Sequence, residues 1–237
     1  MTVVLGLDTA TADAVVALTR SGEPVREASV PPGESGRPRH SQVLLGEIER
    51  CVEAGGGWET VERIAVGVGP GSFTGLRIGI ATARGLAQAR GVRIAPIGTL
   101  AALARGMSEL PTAKGHILLP VIDARRSEFF AALYERDGTE IWAPFVAPPD
   151  RLEKRLAELD STPLAAGDGA LRLATELKAA GATVAPPHDE VHRVAARHVC
   201  ALGEVATAAS PDRIEPLYLR PPDAKRWLER DREEPGG

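Results

Sequence analysis

Residues 5–24 read LGLDTATADAVVALTRSGEP, and residues 119–140 read LPVIDARRSEFFAALYERDGTE. Each stretch opens on an apolar run that ends in an aspartate, Asp8 in one and Asp123 in the other. A loop follows, then a second apolar run, then a glycine turn at Gly22 or Gly138. With one inserted residue both the aspartates and the glycines align. Short apolar runs bounded by turn residues are the pattern of buried strands. Each stretch therefore predicts strand, Asp, loop, strand, turn, strand, and the repeat predicts two lobes on one plan. The plainer alternative is that many α/β chains begin with a hairpin, in which case the match is coincidental.

Working outward, residues 31–38 are rich in Pro, Gly and Ser and predict a loop. Ser41 is placed to cap a helix that carries Val43, Leu44, Ile48 and Val52 at helical spacing and ends near Gly55-Gly56-Gly57. Residues 63–68 predict a strand, 73–89 a helix closed by Gly91, and 92–97 another strand, with Thr99 placed to cap the helix after it. In the second half, 117–122, 128–135 and 140–146 predict strands, with Asp137-Gly138 as a hairpin turn. Then come a helix near 150–159, a short strand at 164–166, and helices near 171–180 and 194–208. The resulting division is a first lobe at 1–98, a second at 99–222 and a charged tail at 223–237, with Trp227 as an anchor.

Composition narrows the function. The 237 residues are 43% hydrophobic and 25% charged, a globular balance. Aromatics are 4%, so the core is aliphatic. Net charge is −4, with a pI near 5.8. An acidic chain has little with which to neutralise phosphates by itself, which argues against stand-alone nucleic-acid binding. Cys51 and Cys200 make no disulfide framework or metal pair. With no leader-like segment and no long apolar run, the sequence predicts a cytoplasmic protein without a membrane partner.

The sharpest local signal is GVGPGSFTGLRIGIATARGL at 67–86. A glycine-rich turn leading into a helix is the setting in which backbone N–H groups hold an anion. Yet neither the lysine-bearing phosphate loop nor the dinucleotide fingerprint is present. Within the helix, Gly75, Gly79 and Ala83 recur every four residues as a small-residue ridge. Glycine inside a helix costs about 1 kcal/mol relative to alanine, so the ridge needs a reason. Two are open: close approach of a partner helix, or packing inside this chain.

The run Gly69-Pro70-Gly71-Ser72-Phe73-Thr74-Gly75-Leu76-Arg77-Ile78-Gly79 resembles the signature of the TsaB (YeaZ) family. So do Leu7-Asp8-Thr9-Ala10, His40-Ser41-Gln42-Val43-Leu44, Asp123-Ala124-Arg125 with Glu128, and Pro216-Leu217-Tyr218-Leu219-Arg220. The resemblance covers nearly the whole chain. It implies an α/β, two-lobed actin/hexokinase-like fold, that is, a duplicated ribonuclease H-like unit. It also implies a non-catalytic scaffold role in adding a threonylcarbamoyl group to adenosine 37 of tRNAs that read codons starting with A. The implied partners are a TsaD-like catalytic subunit and a TsaE-like ATPase, with a homodimer when the chain is alone and tRNA met only through the complex. Threonylcarbamoyl adenylate, ATP and a metal would belong to the complex and its partner subunit, and this chain would hold no cofactor or metal of its own. The expected partner interface is Gly75, Leu76, Gly79, Ile80 and Ala83 with Leu44, Leu45 and Ile48, and Gly79→Leu would block it while leaving the lobe folded.

The residues lend this their own support. Asp123 is followed by Ala124-Arg125-Arg126, with no glycine until Gly138, so a phosphate cradle lacks its parts. No Ser or Cys has a matching His and Asp set. Gly167-Asp168-Gly169 is a weak remnant of a nucleotide turn. His188 and His192, at i and i+4, have the spacing of metal ligands on a helix; the alternative is a pair of solvated histidines at a helix start. His40 reads as a capping or loop histidine. The rival functions are an autonomous actin-like-fold enzyme, either a small-molecule kinase or a metallopeptidase, and a stand-alone homodimeric binding module.

Overall fold

In the computed structural model, which describes residues 2–220, both repeat halves form the same mixed sheet. In the first, β1 (Val3–Asp8), β2 (Ala14–Arg20) and β3 (Glu23–Val30) are antiparallel neighbours. Helix α1 (His40–Ala54) leads to β4 (Arg63–Gly69), and α2 (Phe73–Arg90) leads to β5 (Arg93–Gly98). The sheet order is β3-β2-β1-β4-β5, with β1, β4 and β5 parallel. After α3 (Thr99–Met107) the plan restarts with β6 (Ile117–Arg125), β7 (Glu128–Tyr134) and β8 (Glu140–Ala147). Then come α4 (Pro149–Leu156), β9 (Pro163–Ala166), α5 (Asp168–Arg172), α6 (Ala174–Ala179), β10 (Thr183–Val184) and α7 (Ala196–Val205). The second sheet runs β10-β9-β6-β7-β8, the same arrangement. The duplicated, two-lobed α/β fold read from the Asp8 and Asp123 segments is what the chain forms.

Alternation along the central strands explains the layering. In β1, Val4 faces a core shared by the two lobes, while Val3, Leu5 and Leu7 face an outer core under α1 and α2. In β6, Leu118 and Ile122 face the shared core, and Leu119 and Val121 face an outer core with Leu152 of α4 and Leu177 of α6. Period-two patterning thus gives each sheet two dry faces.

Two expectations need correcting. The 99–222 segment is not confined to the second lobe. Helix α7 returns to the first sheet and packs across β1, β2 and β4, where Gly6 leaves no room for a Cβ beneath Cys200 and Ala196. The Arg63 guanidinium holds α7 in place by donating to the carbonyls of Gly203 (2.7 Å) and Ala206 (2.8 Å), acceptors that a helix end leaves unpaired. Nor do Ser41 and Thr99 cap helices. Ser41 lies inside the first turn of α1, whose cap residue Arg39 makes no side-chain bond, and Thr99 is the first residue of α3, with its hydroxyl turned inward. The tail at 223–237, with Trp227, lies outside the described residues.

Candidate functional site

The two aspartate loops face one another across the cleft between the lobes. On the first side, Asp8 ends β1 and is 1% exposed. Its Oδ1 accepts from the Ala10 backbone N–H at 2.6 Å, and its Oδ2 accepts from the Thr99 hydroxyl at 2.8 Å. Burial pushes its pKa up to about 6, against the opposing pull of those two hydrogen bonds. The loop beyond is bolted to the start of α2. Thr9 Oγ1 donates to the Gly75 carbonyl (2.7 Å), Ser72 N donates to the Ala10 carbonyl (2.7 Å), and the Ser72 side chain caps the helix by accepting from Gly75 N (3.3 Å). His40, buried at the start of α1, places Nε2 3.2 Å from the Ala12 carbonyl, so it is a loop histidine with a structural bond.

On the second side, Asp123 accepts from the Arg125 backbone N–H at 2.8 Å and from Arg172 Nη1 at 2.6 Å, with Arg125 Nη1 at 3.4 Å. Asp123 N donates to Asp168 Oδ1 at 3.0 Å. The pKa of Asp168 is raised, desolvation being the largest cause and the Asp123 charge a smaller one, although the residue as a whole is exposed. The hairpin from β6 to β7 turns through Arg125, Arg126 and Ser127, all with left-handed φ (66°, 54° and 59°).

Between the loops lies a cavity of about 300 Å³, lined by Thr11, Ser72 and Thr74 from the first lobe and Asp123, Arg125 and Phe130 from the second. A strap of C-terminal chain closes its side. Ile214 is buried in the outer core of the first lobe, and Leu217 N donates to the Val68 carbonyl at 2.7 Å. Tyr218 packs against Phe73 with centroids 5.1 Å apart and the rings tilted by 33°, and Arg220 pairs with Glu128 of β7 at 2.9 Å. The strap therefore joins the lobes. Of the sequence, only the 216–220 run pointed to it, and that run carried no sign of what it would cross.

Chemically, the donors at the head of each loop are already used within that loop. The N–H groups of Ala10 and Arg125 serve Asp8 and Asp123, and carboxylates stand where an anion would need donors. Burial raises the Cys51 thiol and pushes Cys200 up to about 12, so neither is a thiolate at neutral pH. Among the described residues no group of three His, Cys, Asp or Glu is placed to hold a metal ion. His188 and His192 do not share a helix face, because residues Glu190–His192 form one 3-10 turn. Neither are both solvated: His192 is buried, its Nε2 donating to the Pro186 carbonyl (3.0 Å) and its Nδ1 accepting from Gly167 N–H (3.2 Å).

The expected interface is also redistributed. Leu44, Ile48, Leu76, Ile80 and Ala83 belong to the outer core of the first lobe, and Gly75 and Gly79 are buried against the Thr9 loop. The ridge of small residues is used for packing within the chain. Leu45, 57% exposed, is the member of the expected set that faces solvent.

Comparison with known proteins then bears on identity. A family model described as "TsaD: tRNA N6-adenosine threonylcarbamoyltransferase" matches residues 30–160. The tRNA threonylcarbamoyladenosine biosynthesis protein TsaB of Escherichia coli is 33% identical over 171 residues, 70% of this chain and 71% of that one. The chain belongs to the TsaB (YeaZ) family. Its TsaB relative in Haemophilus influenzae is 29% identical over 232 residues, covering 91% of this chain and 92% of that protein. YeaZ from Pseudomonas aeruginosa superposes on this TsaB-family chain with a TM-score of 0.76 at 25% identity, covering 92% of this chain and all of that one. A ROK hexokinase from Thermus thermophilus, at 14% identity and TM-score 0.51 over 86% and 99% of the two chains, shares the fold. No helix among the described residues is long and apolar enough to cross a membrane.

Proposed function

We propose that this TsaB-family chain is a non-catalytic subunit of the assembly that places a threonylcarbamoyl group on adenosine 37 of tRNA, and that it holds and activates a TsaD-like catalytic subunit. The observation that carries this reading is the state of the two aspartate loops. At the positions where an actin-like enzyme works on its ligand, Asp8 is sealed under Thr99 and Asp123 is bound by Arg172 and its own turn. The threonylcarbamoyl adenylate, the ATP and the metal are then the business of the partner subunits, including a TsaE-like ATPase. Purified chain is expected to show no ATP turnover. Stoichiometric turnover abolished by Asp8→Ala or Asp123→Ala would overturn the reading in favour of an autonomous enzyme.

The partner surface is moved outward from the buried ridge. Helix α2 presents Ala81 and Gly85 to solvent and keeps Ile78 half exposed, and Leu45 stands out from α1. A Cβ at Gly85 would meet nothing within 4 Å, so packing within the chain gives no reason for a glycine there. Close approach of a partner helix, or of a second copy when the chain is alone, supplies that reason. Gly85→Ala should raise Tm by about 2–4 °C, the equivalent of the ~1 kcal/mol helix-propensity gain. Leu45→Arg with Gly85→Leu should keep that fold yet lower co-elution with the TsaD-like subunit, and self-association by light scattering, by at least about tenfold, roughly 1.4 kcal/mol. Unchanged co-elution by the folded double variant would move the interface elsewhere.

A further inference from the structure

A second cavity, of about 970 Å³, shares Asp168 with the one between the aspartate loops. Its walls are β3, the end of α3 with the residues after it, α5, and the 187–198 segment that leads into α7. Leu110, Leu171 and Val194 supply apolar wall, and five carboxylates line it against two guanidinium groups. Both guanidinium groups already have carboxylate partners, Arg197 in Glu27 at 2.8 Å and Arg193 in Asp13 at 3.6 Å. Carboxylates remain in excess. Asp189 uses one oxygen on the Val191 N–H at 3.0 Å, and neither Asp189 nor Glu190 forms an ion pair among the described residues.

The second observation is a histidine. Of the three buried histidines among the described residues, His40 and His192 spend ring nitrogens on the backbone. His198, whose side chain is 6% exposed, lines the cavity with no hydrogen bond to its ring among the described residues. Its Nδ1 lies 3.8 Å from Glu109 Oε1, beyond hydrogen-bond distance. Gly106 makes room for the ring, since a Cβ there would come within 3.0 Å of its Cδ2 and Nε2. Burial lowers the His198 pKa, against the opposing pull of Glu109, so the ring is neutral and offers a lone pair. Buried polar groups are paired in nearly all folded proteins, so an unpaired one turned into a cavity calls for a partner from outside the chain.

We propose that this cavity binds an aliphatic polyamine, with one ammonium group donating to the His198 imidazole beside Glu109 and another held by Asp189 and Glu190. Two acceptors 3.8 Å apart can share one donor atom, and Glu109 keeps acceptor sites beyond its pair with Arg105 at 2.9 Å. The methylene chain would lie along Leu110, Leu171 and Val194. An anion would meet the excess of carboxylates instead. A metal ion lacks its ligands, because no group of three His, Cys, Asp or Glu among the described residues is placed to hold one. The walls come from both lobes, so occupancy would brace one against the other.

The test is isothermal titration calorimetry of the full chain with spermidine at about pH 8, where the imidazole is neutral. Binding should saturate with a Kd below about 1 mM and should raise the melting temperature, since the site exists only in the fold. His198→Phe, which keeps a ring in the space, should weaken binding at least about tenfold. Asp189→Asn with Glu190→Gln, which keeps the oxygen that accepts from Val191 N, should do the same. n-Butylamine, with one ammonium, should bind at least about tenfold more weakly than spermidine. The control is His116→Phe, whose exposed ring bonds the Thr162 carbonyl elsewhere, and it should bind as the parent does. In spectra of the imidazole nitrogens, saturating spermidine should move the His198 resonances and leave those of His40 and His192 in place. Each variant is checked for folding by its melting curve, and should His198→Phe not fold, the carboxylate variant and the spectra decide. No saturable binding up to about 10 mM spermidine would overturn the proposal. So would parental binding by either folded variant, binding of n-butylamine or of inorganic phosphate as tight as that of spermidine, or unmoved His198 resonances. No readout involves the TsaD-like subunit, so the site stands or falls separately from the subunit reading.

Discussion

Gly79→Leu is expected to destabilise the first lobe rather than trim its surface. A Cβ at position 79 would be driven into the Thr9 hydroxyl, and one at Gly75 into the Thr9 carbonyl, both on the loop that follows Asp8. That loop has no slack, because Thr9 Oγ1 is already bonded to the Gly75 carbonyl and Ala10 O to Ser72 N. Overpacking a fixed backbone of this kind costs on the order of 3 kcal/mol or more, which lowers Tm by roughly 6–12 °C in a chain of this size. Thermal unfolding followed by circular dichroism reads this directly. Gly85→Ala on the opposite side of the same helix should move Tm the other way. A Gly79→Leu protein that melts with the parent would mean that α2 stands farther from β1 than described.

Asp8→Asn should make the protein more stable at pH 8 and leave it almost unchanged at pH 4. The carboxyl titrates near 3.8 when free and at about 6 in the fold, so the folded state binds the proton more tightly. The benefit of the protonated carboxyl is complete below pH 4 and is lost as the pH rises through 6. Above that, keeping the buried carboxylate charged costs about 3 kcal/mol. Asparagine removes the charge while its oxygen still accepts from Ala10 N, and the Thr99 hydroxyl can turn to accept from the amide. The expected gain is about 2 kcal/mol at pH 8, or about 4–8 °C in Tm, vanishing toward pH 4. Asp8→Ala should instead destabilise at every pH, since it leaves the Ala10 N–H and the Thr99 hydroxyl buried without a partner. A gap between Asp8→Asn and the parent that does not vary with pH would show that Asp8 is not the titrating group.

The strands were legible because period-two alternation and the aspartate and glycine landmarks are local signals, and local signals survive in both halves of the chain. What sequence left undecided is which surface covers which. Helix α7 has an ordinary apolar face, and nothing in it says that the sheet it covers is the one built some 190 residues earlier. The ridge at Gly75, Gly79 and Ala83 looks the same whether its neighbour is Thr9 or another protein, because the steric requirement is identical. At position 192 a buried structural histidine and a metal ligand share one sequence pattern, and the Gly167 and Pro186 groups that satisfy it are distant or irregular in the chain. The left-handed turn at Arg125–Ser127 had no glycine or asparagine to announce it.

The return of α7 also sets an order of events during synthesis. Val4, Val15, Ala17 and Ala65 face the shared core, and Val199 and Cys200 of α7 lie in the same cluster. When residue 98 leaves the ribosome, the outer face of the first sheet can be closed by α1 and α2, but the inner face is still bare. About a hundred further residues must be made before its cover exists, an interval of roughly 5–20 s at ordinary elongation rates. Throughout that interval a complete five-stranded sheet carries one sticky face. Helix α3 and the second sheet, emerging in between, are positioned to shelter it first. The nascent chain therefore has a stretch of elongation in which a chaperone has more to hold than in a protein whose lobes close one after the other.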